Sequence, residues 1–503
     1  MFHEQNEKKE RLLSDLALEK VKRWGDWSVG NPTITGIACH SKNVQNGDIF
    51  FALPGFQKHG ARFVEDAAER GAKIIITDSE GIRLLKQTNW RGPMVEVDSP
   101  RKMLSIWSAR WFGSQPEQQV AVTGTNGKTS VCNFVRQIWE NLNYRGVNIG
   151  TMGVEGAVSY SLAHTTPDPI TLHNILENLV NRKVTHVAME ASSHGLDQFR
   201  LDGVNIKAAA FTNLSRDHLD YHENEKSYFK SKCGLFDRII ESGGYAVINL
   251  DDPYGEEIRL LSKKRNLKVL TIGSRQNSDI QIQEHQIIST GQIIRFAYLG
   301  KKFTKKLNLF GAFQANNVLV AAGLAISAGA EADQVFNSFS ALKSVPGRME
   351  LVAFRNFGAQ IFVDYAHTPQ ALARALQDIR SHVIGKVLVV CGAGGDRDKG
   401  KRFLMGRVLS ELADRIFITD DNPRNEEPGS IRAEILSGCP EAEEIGDRAK
   451  AIFTAVENLA FGDALIIAGK GHETGQTIGC DVLPFNDAEQ ASISVEILEG
   501  TNL

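Results

Sequence analysis

The sequence predicts an α/β protein of three domains built around mainly parallel sheets, and three observations predict it. The chain has 503 residues, and a soft prior of roughly 150 residues per domain gives about three. Short apolar runs alternate with helix-length segments from end to end, the pattern of strands joined by crossover helices. Many of those runs are continuously apolar rather than alternating, as expected of strands covered on both faces.

The first domain spans 1–115. Its strand, helix, strand pattern reads from DIFFALPG (48–55), RFVEDAAERGA (62–72) and KIIITDS (73–79). A Trp-bearing helix, PRKMLSIWSARWFG (100–113), leads into polar SQPEQQ (114–119), which marks the boundary. The central domain, 116–345, opens on the strand VAVTG (120–124) and the helix VCNFVRQIWENL (131–142), with further strands in VTHVAMEAS (184–192), AAAFTNLS (208–215) and YAVINLD (245–251). The last domain, 346–503, has strands in AQIFVDYAH (359–367), GKVLVVCGAG (385–394), DRIFITDDN (414–422) and DALIIAGKG (463–471).

Composition narrows the class. With 57 basic and 60 acidic residues the net charge is −3, which gives no electrostatic case for nucleic acid or an anionic membrane. No window approaches 18 consecutive apolar residues, so no membrane insertion is expected. The start, MFHEQNEKKERLL, lacks the apolar core of a secretory signal. A cytoplasmic protein is expected, and a monomer. Cys39, Cys132, Cys233, Cys391, Cys439 and Cys480 form no C-x-x-C pair and read mostly as small buried hydrophobes.

The most informative stretch is AVTGTNGKTS (121–130). A strand, a loop with Gly124 and Gly127, and a helix opened by Lys128, Thr129 and Ser130 let backbone N–H groups and the helix dipole converge on a phosphate. Lys128 would supply a charge to the β/γ-phosphates and Thr129 a hydroxyl to Mg²⁺. The spacing is shorter than the standard phosphate loop, because position 122 is Val. A nucleoside triphosphate is the expected ligand, which makes the middle domain a phosphate-loop mononucleotide-binding unit, and a Rossmann-like fold is expected for the last domain.

The other chemically loaded residues also fall where apolar strands stop, which in open parallel sheets is the ligand crevice. Their spread over two domains suggests an active site in a cleft between them. Glu190 ends VTHVAME and could reach Mg²⁺, which takes one or two carboxylates beside phosphates and waters, or could cap the next helix. In TNLSRDHLDYH (212–222), His218 could be a metal ligand or an acid/base group, with Asp217, Asp220 and His222 around it. Lys232, in SYFKSKCGLF (227–236), reads from spacing alone as a solvated helix lysine. In GAFQANNVLVAAGLAISAG (311–329), Asn316 and Asn317 could touch a base or cap the helix. Arg348, Asp364 and His367 suit closure over phosphates or a ribose. CGAGGDRDKGKR (391–402) superficially resembles a dinucleotide fingerprint, but Arg397 stands where its last Gly should be, so a nicotinamide site is rejected. Arg397 and Arg424 read as a carboxylate clamp, and Gly469 and Glu473 in GKGHET add donors and a carboxylate, which together suit a zwitterionic amino acid.

Laid side by side, these motifs resemble the Mur ligases, ATP-dependent amide-forming enzymes of peptidoglycan synthesis, over nearly the whole chain. The marks are GTNGKTS, HTTPDP (164–169), MEASSHGLDQFRL (189–201), NLSRDHLDYH, VPGRME, VDYAHTP, GGDRDKGKR, DNPR (421–424) and GKGHE. Within the family the chain is similar to the ligases that add meso-diaminopimelate to UDP-N-acetylmuramoyl-L-alanyl-D-glutamate. The resemblance implies Gly124, Thr125, Asn126, Gly127, Lys128, Thr129, Asn316, Arg348 and Asp364 at ATP. It implies Ser41, Thr165, Thr166, Ser192, Gln198 and Arg200 at the UDP-precursor, and Arg397, Asp421, Asn422, Pro423, Arg424, Gly469 and Glu473 at the amino acid. Thr129, Glu190, His218 and a carbamylated Lys232 would hold Mg²⁺, with Lys128, Glu190, His218 and Lys232 as the catalytic set. One departure is His40-Ser41-Lys42, where the family usually has Asp-Ser-Arg. The rival expectations are the same scaffold with lysine as acceptor, a folylpolyglutamate-type ligase, and a nucleotide switch. DNPR and HTTPDP speak against the first two. A switch would not need an Arg-Glu amino-acid clamp.

Overall fold

The computed structural model describes residues 9–17, 21–55, 58–218, 221–288 and 290–500. The chain divides into two compact units, one made of 1–128, 143–248 and 254–269, the other of 129–142, 249–253 and 270–503. Asp220 and most of the N-terminal stretch weighed as a signal lie outside the described residues.

In the first unit, a five-stranded sheet runs in the order Lys22–Trp24, Met94–Glu96, Ile74–Thr77, Ile49–Phe51, Ile37–Ala38, parallel except for the first pair. Ile74, Ile76, Ile49 and Phe51 face a core with Leu104, Trp107 and Trp111, while Ile75 and Phe50 face Val64, Ala67 and Ile82 on the other side. Leu104, Trp107 and Trp111 come from the helix Pro100–Phe112, which starts cleanly because Ser99 accepts from the Lys102 N–H and proline stands in the first turn. Gly113, at φ 83°, ends it in a conformation that suits glycine.

The phosphate-loop strand Gln118–Thr123 lies in a second sheet, between His186–Glu190 and Ala208–Phe211, parallel to both. Gly146–Gly150 continues the sheet in parallel beside His186–Glu190, and Gly153–Gly156 closes that edge antiparallel. The expected strands all form; VAVTG extends back to Gln118, and the others are shorter than their apolar runs. VTHVAMEAS, for instance, narrows to His186–Glu190, because the polar residues leave the ladder to build loops.

The second unit holds a feature with no place in the expectation of a mainly parallel middle domain. Ile280–Ile288, Gly291–Tyr298 and Lys301–Leu307 form an antiparallel ribbon, whose Phe296 and Phe303 pack against Phe336 and Phe339. Its strands mix apolar residues with polar and charged ones, and along Lys301–Leu307 exposed lysines flank Phe303 and buried Leu307, as in a half-exposed ribbon.

A six-stranded sheet completes this unit in the order Glu350–Phe354, Gln360–Asp364, Ala464–Ala468, Val387–Cys391, Arg415–Ile418, Glu443–Glu444. Only the first pair is antiparallel. Its continuous apolar runs have a simple cause. Phe362, Val387, Val389, Ile416, Ile418 and Ile466 join a core on one face, and Ile361, Val363, Leu388, Val390, Phe417 and Ile467 join another on the opposite face. Burying each such side chain contributes roughly 1.5–3 kcal/mol. Beyond the last strand, a hairpin pairs Gly475–Ile478 with Asp481–Pro484. Cys132, Cys391 and Cys439 are buried as expected, whereas Cys480 at the hairpin tip is exposed. No described helix is long and apolar enough to cross a membrane.

Candidate active site

Strand Gln118–Thr123 is where the order of its sheet reverses, so the loops on either side diverge and leave a crevice at its carboxyl end. The phosphate-type loop fills that position. Gly124 has φ 151°, and a Cβ there would lie 1.9 Å from the Thr212 hydroxyl, so nothing larger than glycine fits. The loop is stitched to the neighbouring strand end: Thr125 N–H donates to the Asn213 carbonyl (2.9 Å) and Asn126 N–H to Asn213 Oδ1 (3.0 Å). Thr212 Oγ1 donates to the Asn126 carbonyl at 2.6 Å, and Thr125 Oγ1 meets both the Ser215 carbonyl and the Tyr228 hydroxyl. Lys128 folds over the loop, its ammonium donating to the carbonyls of Gly124 (2.9 Å) and Thr125 (2.7 Å). Thr129 follows on the helix Lys128–Asn141 and is buried.

Lys232 corrects the reading from spacing. It is not a solvated helix lysine but 1 % exposed, with Nζ donating to the Gly124 carbonyl at 2.8 Å and lying 4.3 Å from the Tyr228 ring centre. Burial, reinforced by the Lys128 charge, holds its amine well below the usual lysine pKa. Glu190 is also buried. It caps no helix, since Ser192 caps Ser193–Asp197. Its carboxylate accepts from Thr151 N–H at 2.8 Å and the Thr151 hydroxyl at 3.4 Å. His218 sits at φ 52° beside Asp217, its ring edge-on to His194 at 5.0 Å. Among the described residues no three His, Cys, Asp or Glu side chains converge as a ready-made metal cage. A hard cation takes most of its oxygens from phosphate and water, and the buried Glu190 carboxylate is a protein oxygen of the right kind.

Five of the six residues expected at the UDP-precursor form one network. Thr165 meets Thr151 through their hydroxyls (3.2 Å), Thr166 Oγ1 donates to the Glu190 carbonyl (2.8 Å), and Ser192 shares a hydrogen bond with Thr166 (3.0 Å). Arg200 donates to the Thr166 carbonyl (2.6 Å) and to Gln198 Oε1 (2.9 Å), and Gln198 donates on to Tyr221. Ser41 stands apart, opening the short helix Ser41–Asn43 in hydrogen-bond contact with Asp66.

In the second unit, Asp364 ends its strand and accepts from Met349 N–H (2.6 Å) and Ala366 N–H (2.8 Å). Burial raises its pKa against the pull of Arg348. Arg348 lies over the Tyr365 ring at 4.3 Å, and His367 Nδ1 lies 2.9 Å from the Tyr365 carbonyl. Asn316 and Asn317 do not cap their helix, which begins at Phe313 and runs to Ser327. They sit inside its first turns, Asn317 bonded to Gln314 (3.0 Å) and Asn316 Oδ1 buried with no partner among the described residues. A buried unpartnered amide is costly, so Asn316 is suited to a ligand.

The motifs assigned to an amino acid converge at the carboxyl end of the six-stranded sheet. A Cβ on Gly394 would lie 2.8 Å from Arg424 Nη1 and 3.9 Å from Arg397 Cγ, so the Arg424 guanidinium and the stem of Arg397 both flank that glycine. Arg397 is exposed. Arg424, at φ 51°, donates to the Gly395 carbonyl at 2.8 Å. Asn422 Nδ2 donates to Glu473 Oε2 at 2.8 Å, and a Cβ on Gly469 would lie 2.6 Å from Asp421 Oδ2. Pro423 is buried behind the loop, its carbonyl 1.9 Å from where a Gly395 Cβ would be.

Sequence reasoning missed what holds these loops. Arg402, fully buried, forks between Glu426 and Glu434 and reaches the Gly394 carbonyl. Arg448 is fully buried with Asp487 and donates to the carbonyls of Asp420 and Ala468. The hairpin clamps Arg424 by Arg424 N–H to the Thr477 carbonyl and Gly479 N–H to the Arg424 carbonyl. Arg402 sits inside GGDRDKGKR and could have been weighed. Arg448 gives no signal beyond a helix arginine.

Comparison with known proteins decides the family. The Mur ligase family catalytic domain matches residues 33–112, the Mur ligase middle domain 122–325, and the Mur ligase glutamate ligase domain 347–471. A protein of Bradyrhizobium diazoefficiens, "UDP-N-acetylmuramoyl-L-alanyl-D-glutamate--2,6-diaminopimelate ligase", is 47% identical over 92% of this chain and 95% of its own length. The chain belongs to the Mur ligase family. It is therefore an ATP-dependent, amide-bond-forming ligase. A relative of the same name from a Chelativorans species is 48% identical over 92% of this chain and 94% of its own. A solved structure bearing that enzyme name aligns at TM-score 0.72 and 30% identity, covering 97% of this chain and 99% of that one. The MurF ligase of Thermotoga maritima in complex with ADP, at TM-score 0.60 and 18% identity over 93% and 98%, shares the fold.

Proposed function

We propose that this Mur ligase joins meso-diaminopimelate to the D-glutamyl γ-carboxylate of UDP-N-acetylmuramoyl-L-alanyl-D-glutamate at the expense of ATP, in the cytoplasm, during peptidoglycan precursor synthesis. The observation that carries the reading is the gathering of the Arg424 guanidinium and the Arg397 side chain about Gly394 with the Asn422–Glu473 couple and Asp421 beside Gly469. Such a set offers forks for carboxylates and oxygens for an ammonium. The names of the full-length relatives support it.

In this reading the γ-carboxylate attacks the γ-phosphorus of ATP and ADP leaves. The acceptor amine then attacks the acyl carbon, loses a proton and expels phosphate. Gly124 to Thr129 hold the nucleotide phosphates, and Lys128 moves its charge from the loop carbonyls to the transferring group. Asn316, Arg348 and Asp364 hold the rest of the nucleotide. Thr165, Thr166, Ser192, Gln198 and Arg200 hold the UDP-precursor, with Ser41 toward the uridine diphosphate. Thr129, Glu190, His218 and Lys232 would ligate Mg²⁺, which supplies charge neutralisation on the phosphates when bound. Lys232 fits a carbamate: its buried amine is biased toward the neutral form, the form that adds CO₂ and sheds a proton to become an anionic oxygen ligand.

The test is a panel of amino acids offered with ATP and UDP-muramoyl-dipeptide. Phosphate release should require all three substrates and be greatest with meso-diaminopimelate. Equal turnover with lysine, or release without an amino acid, would overturn the reading.

A further inference from the structure

We infer that Lys470 is a positioning residue for the acceptor amino acid, setting Asn422 and Glu473 in the orientation that reads the substrate's ammonium group. The inference rests on the acceptor site proposed above, to which Lys470 adds a residue that does not itself touch substrate. The Lys470 side chain is fully buried, where a charge is costly unless every donor is met. Its ammonium has three donors, and three acceptors surround it: the Gly475 carbonyl at 2.6 Å, Asn422 Oδ1 at 3.1 Å and Glu473 Oε2 at 3.2 Å.

The consequence lies in what this leaves over. Asn422 Oδ1 takes two donors, Lys470 and Thr477 N–H (2.9 Å), so the amide can face only one way, with Nδ2 toward Glu473 Oε2 at 2.8 Å. Glu473 Oε2 is thereby held by Lys470 and Asn422 together, while no described residue donates to its Oε1. The carboxylate is pinned by one oxygen and offers the other, on a side chain about one third exposed. Without the ammonium, Glu473 Oε2 would keep only the Asn422 bond, and Asn422 would lose one of the two donors that fix its orientation.

The experiment measures Lys470→Met, Glu473→Gln and the double variant, with Lys470→Arg beside them, on the full-length enzyme. Each is scored by melting temperature and by KM for the acceptor amino acid, ATP and UDP-precursor. Lys470→Met should raise the acceptor KM by about tenfold or more, the scale of breaking a buried charge pair, and leave the other two KM values within about twofold. In the Glu473→Gln background the same change should add less than about threefold, because residues acting through one another are not additive. An unchanged acceptor KM in a folded Lys470→Met enzyme, an equal rise for all three substrates, or additive effects would overturn the inference. If Lys470→Met does not fold, Lys470→Arg decides by the same KM pattern, and failure of both to fold would assign Lys470 to stability alone. A parent enzyme that ignores every amino acid in the panel would instead overturn the function proposed above.

Discussion

Two regions of this molecule place buried cations behind the carboxyl ends of parallel strands and use them in opposite ways. Behind the phosphate loop, Lys232 meets a backbone carbonyl and an aromatic face, and burial drives its amine toward neutrality. Behind the DNPR and GKGHE loops, Arg402, Arg448 and Lys470 are equally buried but each is matched to carboxylates. A buried amine without a carboxylate is kept reactive. A buried cation with one becomes a strut holding loop carbonyls, which leaves exposed Arg397 and partly exposed Arg424 for the acceptor proposed above. In the function proposed above, the same strand-end architecture supplies chemistry in one unit and recognition in the other.

The largest expected effect breaks the first half of that contrast. Lys232→Ala, and Lys232→Arg, which cannot form a carbamate, should abolish ligation, and acetate or formate should partly restore the Ala variant by occupying the carbamate's place. An unmodified amine in high-resolution density of the active, metal-bound enzyme would refute the carbamate. Next in size is Lys128→Ala, which removes a mobile charge from the transferring phosphoryl group. Turnover at saturating ATP should fall by at least about 10²-fold, the scale of losing one electrostatic stabiliser. Turnover within a few-fold of the parent would sink the phosphate-loop role.

The same contrast explains what could be read from sequence. The strands, the phosphate loop and the strand-end clustering of polar residues were legible, because apolar periodicity and glycine spacing are local properties. The antiparallel ribbon 280–307 escaped notice, since its half-polar strands carry weaker apolar signals than the buried ones. Lys232 escaped because spacing cannot tell that a helix lysine points at Gly124, 108 residues away. Arg448 escaped for the same reason, as its partner Asp487 lies 39 residues on. Asn316 was singled out, yet its place inside the helix rather than at the cap depended on the chain turning at Gly311, which has φ 86°.

The recognition half is tested at Arg424. Its guanidinium fork can take the second carboxylate that distinguishes meso-diaminopimelate from lysine. Arg424→Ala should raise the KM for diaminopimelate by roughly 10- to 100-fold, as loss of a charge-assisted pair of hydrogen bonds implies, with ATP and UDP-precursor KM values nearly intact. Arg424→Lys should rescue little, because an ammonium lacks the planar fork. An unchanged diaminopimelate KM in Arg424→Ala would show the clamp to be wrongly placed.

The smallest effect concerns a third kind of buried titratable group, one with neither carbonyl nor carboxylate. His173 is 1 % exposed, and neither ring nitrogen has a partner among the described residues. Burial lowers its pKa to about 4, below the roughly 6.5 of an unfolded histidine. Between those values the unfolded chain binds the proton and the folded chain does not, so stability rises with pH there. The contribution is complete above pH 6.5 and is lost as pH falls from 6.5 toward 4, amounting to roughly 2 kcal/mol lost by pH 5. His173→Leu removes both the titration and two unpaired nitrogens. Its melting temperature should exceed the parent's by more at pH 5 than at pH 8, where the parent's histidine is neutral in both states. A gap that is the same at both pH values would show that His173 is not held neutral by the fold. The Arg402 strut should give no such acid sensitivity in this window, because the bond from Arg402 holds the Glu426 carboxyl down at about 2.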